Sequence, residues 1–81
     1  MARIEVSMAF KSNYCAMSAQ QKRVVAEAAG VNVFYLTRAV HGAFRPSAPK
    51  ALRIARAINE IFPEKKALTG FDVMSFGEEI L

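Results

Sequence analysis

Residues 18–42, SAQQKRVVAEAAGVNVFYLTRAVHG, decide how the chain folds. Ser18 and Gln21 have the spacing of a capping box, in which a hydroxyl and a side-chain amide satisfy orphan backbone N–H groups at a helix start. The helix so begun reaches Ala29 with a narrow apolar face of Val24, Val25, Ala28 and Ala29, and Gly30 suits the left-handed residue that ends it. Only Val31 intervenes before Asn32, which can cap a further helix from Val33 to about His41, with Leu36 and Val40 inward at i and i+4 and Gly42 as terminator.

Working outward, Ser7 can cap a first helix over Met8–Cys15 in which Phe10, Tyr14 and Met17 share a stripe. Downstream, Arg45-Pro46-Ser47-Ala48-Pro49 forms a rigid connector, and Ser47 can cap a fourth helix with proline in its first turn, where proline is tolerated. Leu52, Ile54, Ala55, Ile58 and Ile61 supply its buried stripe, and Pro63 ends it. Two stretches stay open. Ile4 and Val6 alternate with polar residues, and so do Phe71 and Val73, which would suit short terminal β-strands over 2–6 and 70–76; Ser75 with Glu78 could instead cap a last short helix. The expectation is one small, mainly all-α domain of four to five helices covering residues 1–81, with a two-helix unit at about 19–41 and an extension at 63–81.

Composition agrees with a single packed domain. The chain has 81 residues, 53% of them hydrophobic and 22% charged, enough apolar surface for a core and too little length for a two-domain enzyme. No run of about 18 apolar residues and no basic stretch followed by a long apolar one is present, so a cytoplasmic protein without a membrane span is expected. Cys15 is the one cysteine and His41 the one histidine, which cannot make an internal disulfide or a four-ligand zinc site. In an apolar first helix Cys15 is expected to be a buried, inert thiol. No nucleophile with a base, no paired acids and no metal cluster stand out, so neither catalysis nor a cofactor nor a small-molecule ligand is expected.

The net charge of +4 is unevenly spread. Residues 20–56 carry Lys22, Arg23, Arg38, Arg45, Lys50, Arg53 and Arg56 against Glu27 alone, a net +6, whereas residues 63–81 set Lys65 and Lys66 against Glu64, Asp72, Glu78 and Glu79, a net −2. A concentrated positive field draws polyanions, although a basic helix face can also serve solubility alone. The spacing around Gly30 decides between these. Ala26, four residues earlier, is small enough to let one helix cross closely over another, and Leu36 and Val40 return the chain to the core. That pattern is a helix-turn-helix, whose second helix keeps an outer face able to enter a major groove.

The stretch Gln20–Ile61, about half the chain, resembles the Cro and phage-repressor (lambda-repressor-like) helix-turn-helix family, including small Cro-like regulators of prophages. The matching elements are VVAEAAGVNVFYLTRAVHG for the two-helix unit and RPSAPKALRIARAI for the supporting helix. The chain departs from the family pattern at Lys22, where many members carry glutamine, leaving Gln21 to make that phosphate contact. The resemblance implies that the helix after Asn32 reads DNA. With Leu36, Ala39 and Val40 inward, its outward set is Asn32, Val33, Phe34, Thr37, Arg38 and His41. Arg38 can give two hydrogen bonds to guanine O6 and N7, Thr37 and Asn32 can bond an edge or a phosphate, and Val33 and Phe34 can touch thymine methyls. Packing against Tyr14 or a partner subunit is the competing role for Phe34, and a plain helix-end group for His41.

Backbone contacts are expected from Gln20, Gln21 and Lys22, at a helix start whose free amides attract phosphate, and from Arg45 and Lys50 on the other flank. One reading helix contacts few base pairs, so a homodimer on a double-stranded, palindromic operator is expected, with half-sites about one DNA turn apart. Phe71, Val73, Met74, Phe76, Ile80 and Leu81 are the candidate dimer contact, or else cover the domain's own core. The rival function is a protein-binding antirepressor or adaptor that grips a partner with Phe34, Tyr35 and the apolar tail on the same scaffold.

Overall fold

The computed structural model describes residues 4–74 as five helices: α1 Met8–Ala16, α2 Ala19–Ala29, α3 Val33–Val40, α4 Ala48–Ile61 and α5 Gly70–Met74. Each start is set by a short polar side chain. The Ser7 hydroxyl accepts from Phe10 N at 3.3 Å to open α1. At α2 both halves of the capping box form, Gln21 N to Ser18 Oγ at 3.1 Å and Ser18 N to Gln21 Oε1 at 2.9 Å. Asn32 Oδ1 accepts from Tyr35 N at 2.7 Å to open α3. Ser47 is the exception: it is the N-cap of α4, but its hydroxyl makes no cap bond. Pro49 occupies the second helical position and has no N–H to give, which removes one of the two donors such a cap uses.

The two glycine stops of the central unit share one geometry. At the end of α2, Val31 N reaches back to Ala26 O at 2.9 Å and Gly30 N to Glu27 O at 3.1 Å, with Gly30 at φ 75°. At the end of α3, Ala43 N bonds Arg38 O at 3.0 Å and Gly42 N bonds Ala39 O at 3.1 Å, with Gly42 at φ 79°. Both are the paired closure of a helix by a left-handed residue, which satisfies carbonyls that the helix leaves orphaned.

Helix α4 is the spine, packed against α2 on one side and α5 on another, while α3 rests on α2 and α1. Phe10, Val25, Leu36, Ile54, Ile58 and Val73 are the largest fully buried side chains, one or more from every helix. Several apolar expectations shift by one position. On α2 the buried set is Val25, Ala26 and Ala29, leaving Val24 and Ala28 exposed. On α4 Leu52 is exposed, because Ala51, Ile54, Ala55 and Ile58 already define the inward stripe. Cys15, expected to be buried, is exposed, since α1 turns Phe10, Asn13 and Tyr14 inward instead.

Among the described residues there are no strands. Ile4 N donates to Gly42 O at 2.9 Å, a single bond to a turn rather than a ladder. Phe71 and Val73 lie in a helix, not a strand, because Thr69 and Asp72 form a reciprocal cap: Asp72 N to Thr69 Oγ1 at 3.1 Å and Thr69 N to Asp72 Oδ2 at 2.9 Å. The cap suggested for Ser75 and Glu78 lies outside the described residues. Asn59 on α4 fixes the approach to α5 by pairing both ways with the Leu68 backbone, at 2.7 and 3.0 Å.

The two glycines separate backbone strain from crowding. A Cβ added at Gly30 meets nothing within 4 Å, whereas one at Gly42 collides with the Ile4 carbonyl oxygen. Gly30→Ala should therefore cost about 1 kcal/mol from the left-handed backbone alone, and Gly42→Ala clearly more. Urea denaturation of the two variants checks this order.

Candidate nucleic-acid interface

Helix α3 has eight residues, and burial of Leu36, Ala39 and Val40 determines which of its sides faces solvent. At about 100° per residue, the direction opposite these three is occupied by Phe34, Arg38 and His41, with Thr37 and Tyr35 on opposite shoulders. Accessibility follows that geometry: Asn32, Phe34, Arg38 and His41 are exposed, and Val33, Thr37 and Tyr35 are half-buried. Phe34 is 67% exposed and so does not pack into its own domain against Tyr14. Its ring carries the Arg38 guanidinium at 5.5 Å from the centroid. Val33 packs against the core rather than standing clear of it.

Two of the outward residues have polar atoms already committed. The Asn32 carbonyl oxygen is occupied as the α3 cap, which leaves its Nδ2 as the group suited to an acceptor on a phosphate or base. The Thr37 hydroxyl donates to Val33 O at 3.0 Å and lies 2.6 Å from Tyr14 Oη. With its one proton used on Val33, Thr37 accepts from the Tyr14 phenol, and only its methyl and one acceptor lone pair remain for a ligand.

Tyr14 is thus more than a core ring. Its hydroxyl reaches α3, and Lys22 Nζ lies 4.3 Å from its ring centroid, so a single α1 side chain sets α3 and the start of α2 in register. On the opposite shoulder Lys50 Nζ sits 5.1 Å from the Tyr35 ring centroid, and Tyr35 meets Phe44 edge-on at 4.7 Å. Burial raises the Tyr35 phenol above its usual pKa. Three cations, Lys22, Arg38 and Lys50, therefore border the exposed side of α3, each held over an aromatic face. Sequence periodicity ranks Tyr14 and Tyr35 by apolarity and misses this positioning, because Lys22 and Lys50 lie 8 and 15 residues further along the chain.

The remaining expected contacts fare differently. Gln20 is exposed, whereas Gln21 is half-buried and spends its Oε1 on the α2 cap. Arg45 is turned toward α5, where its Nε donates to Met74 O at 2.8 Å, so its first role is structural. Arg53 and Arg56 border a shallow depression with Ala28, Ala57 and Glu60 on α2 and α4. Of the expected dimer set, Phe71 is 63% exposed, Met74 is half-buried and Val73, at 1% exposure, belongs to the domain's own core. Val73 is therefore corrected from a pairing contact to a core residue; Phe76, Ile80 and Leu81 lie outside the described residues. No helix among the described residues is long and apolar enough to cross a membrane. Comparison with protein-family models, curated proteins and solved structures gives no match to the chain.

The Tyr14 to Thr37 bond can be tested by a double-mutant cycle. Tyr14→Phe and Thr37→Val should each destabilise by about 1 kcal/mol, and the double variant should cost measurably less than their sum. Additive losses in chemical denaturation would mean that the two hydroxyls do not interact.

Proposed function

We propose that the chain is a sequence-specific DNA-binding transcription regulator, a Cro-like repressor of phage or prophage kind, which lays α3 in the major groove of a palindromic operator as a homodimer. One observation carries this reading: α3 buries Leu36, Ala39 and Val40 and leaves Asn32, Phe34, Arg38 and His41 exposed between two aromatic-mounted lysines. An exposed helix face with a guanidinium at its centre and ammonium groups on its shoulders matches what a groove offers, base edges at the floor and phosphates at both walls. The resemblance of residues 20–61 to Cro and phage repressors supports the same assignment.

Within this proposal Arg38 reads guanine, Asn32 Nδ2 and His41 meet bases or phosphates at the helix ends, and the Thr37 methyl offers an apolar contact. Lys22, Lys50 and Gln20 hold the backbone. Bound over a promoter, such a dimer represses by occupancy. The exposure of Phe34 and Phe71 supports the second reading, an antirepressor or adaptor that seats these rings on another protein. Salt separates the two, because phosphate contacts release counterions and an apolar protein contact does not.

Selection of bound sites from a random duplex pool at two salt concentrations should return a symmetric consensus. Arg38→Ala should lose about 1–3 kcal/mol and relax preference at one base pair per half-site, whereas Lys22→Ala should weaken all sequences alike and flatten the salt slope. Identical behaviour of both variants on selected and random DNA would overturn the assignment of reading and anchoring roles. For pairing, Phe71→Glu should shift sedimentation equilibrium toward monomer with little change in melting temperature.

A further inference from the structure

Phe34 is the most exposed large apolar side chain on α3, 67% in water, and it stands on the same side of the helix as the exposed Asn32, Arg38 and His41. It stands one helical turn before Arg38, whose guanidinium lies 5.5 Å from its ring centroid. The pairing restricts both groups. Held within cation–π range of the ring, the arginine has fewer rotamers to lose on binding, and the ring lies beside its fork. A four-residue separation along the helix spans about 6 Å, close to two base-pair steps of about 3.4 Å.

We infer that Phe34 and Arg38 act as one composite reader of a guanine together with a 5-methylated pyrimidine within two base pairs of it. Arg38 bonds guanine O6 and N7 while the Phe34 ring covers the C5-methyl group of thymine. The major groove is where this chemistry is available, since the thymine methyl is the one apolar group that its floor displays. A bare pyrimidine edge leaves the ring against water and against the cytosine amine. The Thr37 hydroxyl, already held by Tyr14 and Val33, does not compete for the same edge as a donor. The inference rests on the DNA-binding reading and adds to it which neighbouring base is required and why.

Replacing thymine by 2′-deoxyuridine removes the methyl group and nothing else. In a selected operator, single replacements should weaken binding of the full chain by roughly fourfold at one position per half-site near the guanine, the effect of leaving one methyl group unburied. Any effect of replacements elsewhere should be unchanged by Phe34→Ala. Phe34→Ala should bind the thymine and deoxyuridine operators equally, with an unchanged melting temperature because the ring is exposed. If every deoxyuridine operator binds as tightly as its parent, or if Phe34→Ala stays as sensitive as the original chain, the composite reader is overturned while DNA binding stands. If no duplex is selected at all, both fall, and a protein partner for Phe34 takes their place.

Discussion

Eight residues do not make a stable helix in water, because the cost of nucleation exceeds what so few hydrogen bonds return. Helix α3 exists because Leu36, Ala39 and Val40 are taken out of water where it rests on α2 and α1, and because Asn32 and Gly42 close its two ends. The same burial fixes its rotation about its own axis. A shift of one residue would put Arg38 against the core and Phe34 beside it, at the cost of burying a guanidinium. Which residues stand on the exposed side is consequently set by the packing of the other side.

The charges around that surface are held by rings rather than by acids. Lys22, Arg38 and Lys50 each lie over an aromatic face, an arrangement that orients a cation without neutralising it. A carboxylate partner would have fixed these side chains equally well but cancelled the field that draws a polyanion. Tyr14 couples the two kinds of constraint, since one side chain both donates to Thr37 and supports Lys22. Under the DNA-binding reading, phosphate anchor and reading helix therefore move as one body.

The two-helix unit was legible in the sequence because its signals are local: a serine and a glutamine three apart, a glycine at each stop, an asparagine before the second helix. The inward set of α3 followed from its period. What the sequence does not show are bonds whose partner lies far along the chain: Thr37 is tied to Tyr14, 23 residues away, and Arg45 to Met74, 29 residues away. Phe71 and Val73 showed the alternation of a strand, yet Thr69 and Asp72 carried the same box spacing that identified α2, and that local cap prevailed. Leu52 and Cys15 are apolar by type and exposed by position, because a helix turns only part of its surface inward.

The role of α5 follows from where its backbone carbonyls go. Ser7 Oγ donates to Asp72 O at 2.7 Å, and Arg45 Nε donates to Met74 O, so the last described helix is tied both to the start of α1 and to the connector that leaves α3. A five-residue helix has little stability of its own, and Val73 in the core, with Met74 packed against it, holds it in place. The Arg45 bond makes its position depend on the same connector that carries α3 into α4. Phe71, exposed on α5, is in this way linked to Arg38 through Met74 and the connector. Under the reading of the chain as a homodimer on DNA with Phe71 in the pairing contact, such a link matters more than the area of the contact itself, because slack between the pairing residue and the reading helix would blur the spacing on which a palindromic site depends.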